Sequence, residues 1–113
     1  MSPPDRRQKH LIDLERVLGE IEGFAAGRTE TELLENRGLQ LIFEREFEIL
    51  GEALNRLLRD DPALESAITD ARRIVGLRNL LAHGYDAIDH RILWSAVTLH
   101  LPRLRKEVSR LLG

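Results

Sequence analysis

Between Leu39 and Leu57 the apolar residues fall in two overlapping rows at helical spacing. Phe43, Phe47, Leu50, Leu54 and Leu57 form one row; Leu39, Ile42, Ile49 and Ala53 form the other. A helix with so wide an apolar surface has to be covered on more than one side. Either its second row meets another subunit, or it is a central helix with neighbours of its own chain on both flanks.

The same period runs through the rest of the chain. Met1 to Pro4 reads as a frayed lead-in, and Asp5 to about Ala26 as the first helix. Leu11, Leu14, Leu18, Ile21 and Ala25 form its stripe, and Gly27 stops it. Thr29 and Thr31 are candidate caps for the central helix, expected over about Glu32 to Arg59 with an interruption near Gly38. Asp61-Pro62 starts a short turn of helix up to Ile68. Thr69-Asp70 can cap a third long helix, from about Ala71 to Ala82, which Gly84 ends. Asp86 to Asp89 reads as a loop, with Asp89 capping a last helix from His90 to about Leu112. Pro102 falls inside that helix, so a distortion is expected near Thr98 to Pro102. The expected fold is all-α: an antiparallel bundle of four main helices with one or two short extra ones, in a single domain spanning residues 1–113.

Composition removes several function classes. The chain has 17 basic and 19 acidic residues, a formal net charge of −2, so no global field draws it to nucleic acid and any such site must be local. Without cysteine there is neither a disulfide nor a thiolate metal site, which suits a reducing cytoplasm. No apolar run is long enough to span a membrane, and the N-terminus lacks the apolar core of a signal peptide. Aromatic residues make up only 4%, too few for the stacking platforms of many single-strand binders. Neither a metal-ligand spacing nor a glycine-rich phosphate loop occurs, so no cofactor or metal is expected. His10 and His90 show no supporting constellation, and His100 reads as structural or exposed.

One stretch departs from the plain alternation of charge and leucine. Leu77-Arg78-Asn79-Leu80-Leu81-Ala82-His83-Gly84-Tyr85 gathers an arginine, an amide, a histidine and the sole tyrosine near a helix end. Arginine grips phosphate with a planar fork of donors, and histidine moves protons near neutral pH. Together they suit RNA cleavage, in which the substrate's own 2′-hydroxyl attacks and arginine stabilises the charged phosphorane. DNA lacks that hydroxyl. Taken alone, the same residues also suit a helix-end cap, a solvated arginine and a core or interface tyrosine. On a straight helix Arg78 and His83 stand roughly 140° apart, so either unwinding at Gly84 or a symmetry-related chain must bring them together. Arg72 and Arg73, about a turn earlier, could add a local phosphate patch. Glu52, on a largely apolar segment, wants a partner. An arginine of the third long helix and an i, i+4 pair with Arg56 are equally open.

Arg78-Asn79, then His83-Gly84-Tyr85, resembles the R-x4-H-x-Y signature of the HepT-like toxins of the HEPN superfamily. Ile49-Leu50-Gly51-Glu52-Ala53 resembles the family's "IIGEA" segment. Ile88-Asp89, Ile92-Leu93-Trp94 and Leu101-Pro102-Arg103-Leu104 resemble its closing helix. The likeness runs from about Leu41 onward and more loosely through the first helix. It departs at Asp70-Ala71, where relatives often carry proline and tryptophan.

The resemblance implies a HEPN-like homodimer with two motifs facing a shared cleft. It also implies a metal-independent endoribonuclease, the toxin of a type VII toxin-antitoxin system. Arg78 would hold the scissile phosphate, His83 would be general base or acid, and Asn79 would orient substrate or histidine. A minimal nucleotidyltransferase antitoxin would neutralise the toxin by AMPylation of Tyr85. A binding subunit that presents Tyr85 to a nucleotidyltransferase without catalysis, and a helical dimer with no ligand, are the other two readings. The adjacent reading frame and an activity assay separate the three.

Overall fold

The computed structural model describes residues 3–83 and 88–113, with the side chains of 6–81 and 88–113. Among these the chain is all-α, with the HEPN-like architecture expected. Six helices are labelled here: α1 (Pro3–Ala25), α2 (Glu30–Glu35), α3 (Arg37–Asp60), α4 (Ala71–His83), α5 (His90–Ser95) and α6 (Leu101–Leu112). A 3₁₀ turn, Pro62–Ala67, joins α3 to α4, and a π-helical segment, Ala96–His100, joins α5 to α6.

Local chemistry sets most of these boundaries. The first helix begins at Pro3, earlier than expected. Proline suits a first turn because the N–H it lacks has no helical partner there. Gly27 follows α1 with a φ of +72°, the left-handed conformation that favours glycine. The break in the central helix lies at Asn36 rather than near Gly38. Asn36 takes an extended conformation and its side chain accepts from the Leu39 N–H, so it closes α2 and caps α3. Gln40 reaches back to the Leu33 and Leu34 carbonyls that α2 leaves open. Thr29 caps α2, and Asp89 caps α5. The Pro102 distortion takes the form of the π segment, where the Leu101 N–H bonds the Ala96 carbonyl. A widened turn accommodates a ring that would strike the carbonyl four residues back.

α3 is the central helix, flanked by α1 and α4 of its own chain. Its first row is buried throughout: Phe43, Phe47, Leu50, Leu54 and Leu57. The second row is largely covered as well, since Leu39 is buried and Ile49 and Ala53 pack against the core. Ile42 and the adjacent Leu41 remain exposed. Polar contacts mark the antiparallel register of α1 on α3. Arg7 and His10 near the start of α1 meet Asp61 and Asp60 at the end of α3. At the other end of α1, Glu20 lies beside Glu46, whose carboxyl is raised above its usual range by burial and by the Glu20 charge.

Two features dock α4. A Cβ on Gly51 would lie 2.3 Å from the Arg78 Cβ, so the bare glycine lets α3 and α4 meet backbone to side chain at that level. At its start, the buried Asp70 receives Arg103 of α6 on both oxygens, at 2.9 and 3.0 Å. The Thr69 hydroxyl and N–H donate to Glu107 of the same helix. Thus the side chains expected to cap α4 tie it to α6.

Candidate active site

Arg78 emerges from α4 directly over Gly51. Its Nη2 lies 2.8 Å from Glu52 Oε2, and its Nη1 donates to Asn79 Oδ1 at 3.1 Å. The other carboxylate oxygen, Glu52 Oε1, accepts from Arg56 Nε at 3.1 Å. Both partners foreseen for Glu52 are therefore present at once. One carboxylate orients two guanidinium groups, and Arg78 keeps one-third of its side chain exposed.

Glu52, Arg56 and Arg78 line a groove of about 420 Å³ among α1, α3 and α4. His10 and Arg16 come from α1, Arg45, Glu52 and Arg56 from α3, and Arg78 from α4. Asp13 and Glu48 add two more carboxylates. The groove thus holds four guanidinium groups against three carboxylates, in a chain whose net charge is negative. Such a local excess of positive charge favours an anionic ligand.

The structure separates some residues that the sequence set side by side. Arg72 pairs with Glu65 and lines a different groove, together with Arg59 and Asn79. Arg73 faces a third, beside Arg91 and His100. Neither joins the Arg78 groove, because successive residues of a helix point about 100° apart. Asn79 serves Arg78 directly, through the hydrogen bond above. His83 is the last residue of α4. Its side chain, and all of Tyr85, lie outside the described residues.

Sequence reasoning missed the histidine partners. His10 Nε2 lies 2.7 Å from Asp60 Oδ2, and His90 Nε2 lies 2.7 Å from Glu44 Oε2. His100 Nδ1 lies 3.3 Å from Asp70 Oδ1. The partners of His10 and His90 stand 50 and 46 residues away in sequence, so no local spacing could reveal them. The carboxylates bonded to His10 and His90 orient those imidazoles and select their tautomers. Among the described residues no helix is long and apolar enough to cross a membrane.

Residues 14–111 match the family model described as ribonuclease HepT-like. The chain belongs to the ribonuclease HepT-like family. Relatives share that character by name. A candidate RNase of Methanocaldococcus jannaschii is 31% identical over 98 residues, covering 87% of this chain and 89% of its own. Another, from Caldanaerobacter subterraneus, is 29% identical across 88% of this chain and 90% of its own. A candidate ribonuclease HepT of Thermococcus cleftensis is 28% identical across 90% of this chain and 92% of its own. No solved structure gives a significant match. For a HepT-like chain, the groove places Glu52 of the "IIGEA"-like segment and Arg78 of the signature in direct contact. Segments that resembled the family separately are thus two walls of one groove.

Proposed function

We propose that this HepT-like chain is a metal-independent endoribonuclease, the toxin of a type VII toxin-antitoxin pair. One observation carries the reading. Arg78, on the helix that ends at His83, is seated over Gly51 and held by Glu52 in a groove with excess positive charge. Arg78 binds the scissile phosphate and stabilises the phosphorane. His83 takes the proton of the 2′-hydroxyl as that oxygen bonds to phosphorus. The phosphorus–5′-oxygen bond breaks, the 5′-oxygen gains a proton, and a 2′,3′-cyclic phosphate remains. Asn79 acts by orienting Arg78, the role its hydrogen bond supports.

The working unit is a homodimer whose second chain completes the cleft. Leu80 on the motif helix, Ile92 on α5 and Leu99 on the π segment are each exposed apolar side chains that a partner subunit could cover. Regulation falls on Tyr85. A minimal nucleotidyltransferase antitoxin adds AMP there, and each AMP sets a bulky anion beside the phosphate site, where it blocks and repels RNA. The toxin acts in the cytoplasm, where both RNA and antitoxin reside.

The test is cleavage of RNA in EDTA by purified protein, with DNA of the same sequence as control. Wild type cuts the RNA and spares the DNA. His83→Ala abolishes cutting while the dimer persists in size-exclusion chromatography. A His83→Ala protein as active as wild type removes the base. A wild type that binds the antitoxin and cuts nothing supports the non-catalytic binding subunit instead.

A further inference from the structure

We propose that Arg56 is the second half of a phosphate clamp, gripping the phosphate next to the one held by Arg78 on a single RNA strand lying in the groove. The inference rests on the ribonuclease reading and specifies how the strand is held beyond the reacting bond.

The geometry begins with Glu52. Its two oxygens take different arginines, Oε2 the Arg78 Nη2 and Oε1 the Arg56 Nε. One negative charge thus orients two positive ones, and the pair of guanidinium groups carries a net charge into the groove. Arg56 binds Glu52 through Nε, and 60% of its side chain is exposed. Both of its terminal nitrogens remain to face a ligand, the planar fork that matches phosphate. Exposed i, i+4 ion pairs of this kind hold weakly, so the bond to Glu52 presets the guanidinium without locking it away.

The two arginines spring from different levels of the bundle. Arg78 stands level with Gly51 and Glu52, whereas Arg56 is one turn further along α3, about 6 Å along the axis. Bonded to the two oxygens of one carboxylate, their guanidinium groups lie beside each other, placed for neighbouring phosphates of one strand. Arg16, from α1, contributes a further exposed guanidinium to the same groove, at 3.6 Å from Asp13. With so few aromatic residues in the chain, the strand is held by its backbone rather than by stacked bases.

The experiment measures binding of a fluorescein-labelled, mixed-sequence 2′-O-methyl oligoribonucleotide as a function of salt. That probe lacks the attacking hydroxyl, so binding is read without cleavage. In parallel, KM and kcat are measured on the unmodified oligonucleotide. Arg56→Ala is expected to weaken binding several-fold and to make the slope of log K against log salt shallower by about 0.7, the release of one phosphate contact on a single strand. KM rises correspondingly, and kcat at saturation falls less than about twofold. Arg56→Lys keeps the charge and therefore most of the slope. Unchanged affinity and slope in Arg56→Ala would overturn the clamp. So would a loss confined to kcat, which would mean that Arg56 acts through Arg78. A wild type that neither binds nor cuts RNA sinks the ribonuclease reading and the clamp together. A wild type that cuts while Arg56→Ala matches it in every measurement sinks the clamp alone.

Discussion

Two arginine–carboxylate clusters meet α4, one at its start and one past its middle, and they are built differently. At its start, Asp70 is 6% exposed and receives both Arg103 nitrogens, with His100 beside it. Those hydrogen bonds raise Arg103 above the usual arginine range. Every oxygen there is used, and the cluster fastens α4 to α6. Further along α4, Glu52 is divided between Arg78 and Arg56, and guanidinium donors outnumber the acceptors facing them. The first arrangement gives both oxygens of a buried carboxylate to one half-exposed arginine and so joins two helices. The second leaves donors pointing into a groove, the condition an anionic substrate requires. The same residue types are thus arranged with different stoichiometry at the two places, which fits the first to stability and makes the second the candidate for binding.

Single substitutions should split the two clusters. Arg78→Ala is expected to lower RNA cleavage by about 100- to 1000-fold, the usual cost of losing one donor to transition-state charge. Because the lost ion pair is partly exposed, urea unfolding should move by no more than about 1 kcal/mol. Asp70→Ala should do the reverse. It leaves Arg103 without its carboxylate and should cost about 2–3 kcal/mol in urea unfolding. Cleavage measured well below the melting temperature should then stay within about twofold of wild type. Equal losses of activity in both variants would erase the distinction.

Gly51→Ala tests the contact that sets the second cluster. Its new Cβ cannot sit 2.3 Å from the Arg78 Cβ, so α3 and α4 must part. Overpacking of this kind costs about 1–3 kcal/mol, and cleavage should fall with it as Arg78 leaves Glu52. Undiminished cleavage would show that the glycine contact does not position Arg78.

The smallest effect belongs to Glu46, away from both clusters. Burial and the Glu20 charge raise its folded-state carboxyl, so the folded chain holds that proton to higher pH than the unfolded chain does. The linked stability is present below the unfolded pKa and is lost as pH rises through the folded value. Glu46→Gln should therefore raise the melting temperature at neutral pH by a few degrees at most, and flatten its decline from mildly acidic to neutral pH. A wild-type melting temperature that climbs across this range in step with Glu46→Gln would contradict the linkage.

Much of the site was legible because it rests on short-range patterns. Helical period marked the buried faces of α1, α3 and α6, and the unusual polar set at Arg78 marked the motif. Glu52 was readable as a carboxylate in need of a partner because it stands among apolar neighbours. The Asn36 break was hidden, since asparagine both caps and continues a polar helix start, and the nearby glycine was the stronger stop signal.

The sequence by itself determined most of the helical spans, which faces are apolar and which side chains are candidates for the chemistry, because those depend on neighbours within a turn or two. Only the tertiary structure decided that Arg56 joins Arg78 while Arg72 and Arg73 turn away, and that His10 and His90 find carboxylates far along the chain. Those outcomes depend on how helices are rotated and set against one another. Periodicity tells which face of a helix is buried, whereas packing decides what that face, and the edge beside it, meets.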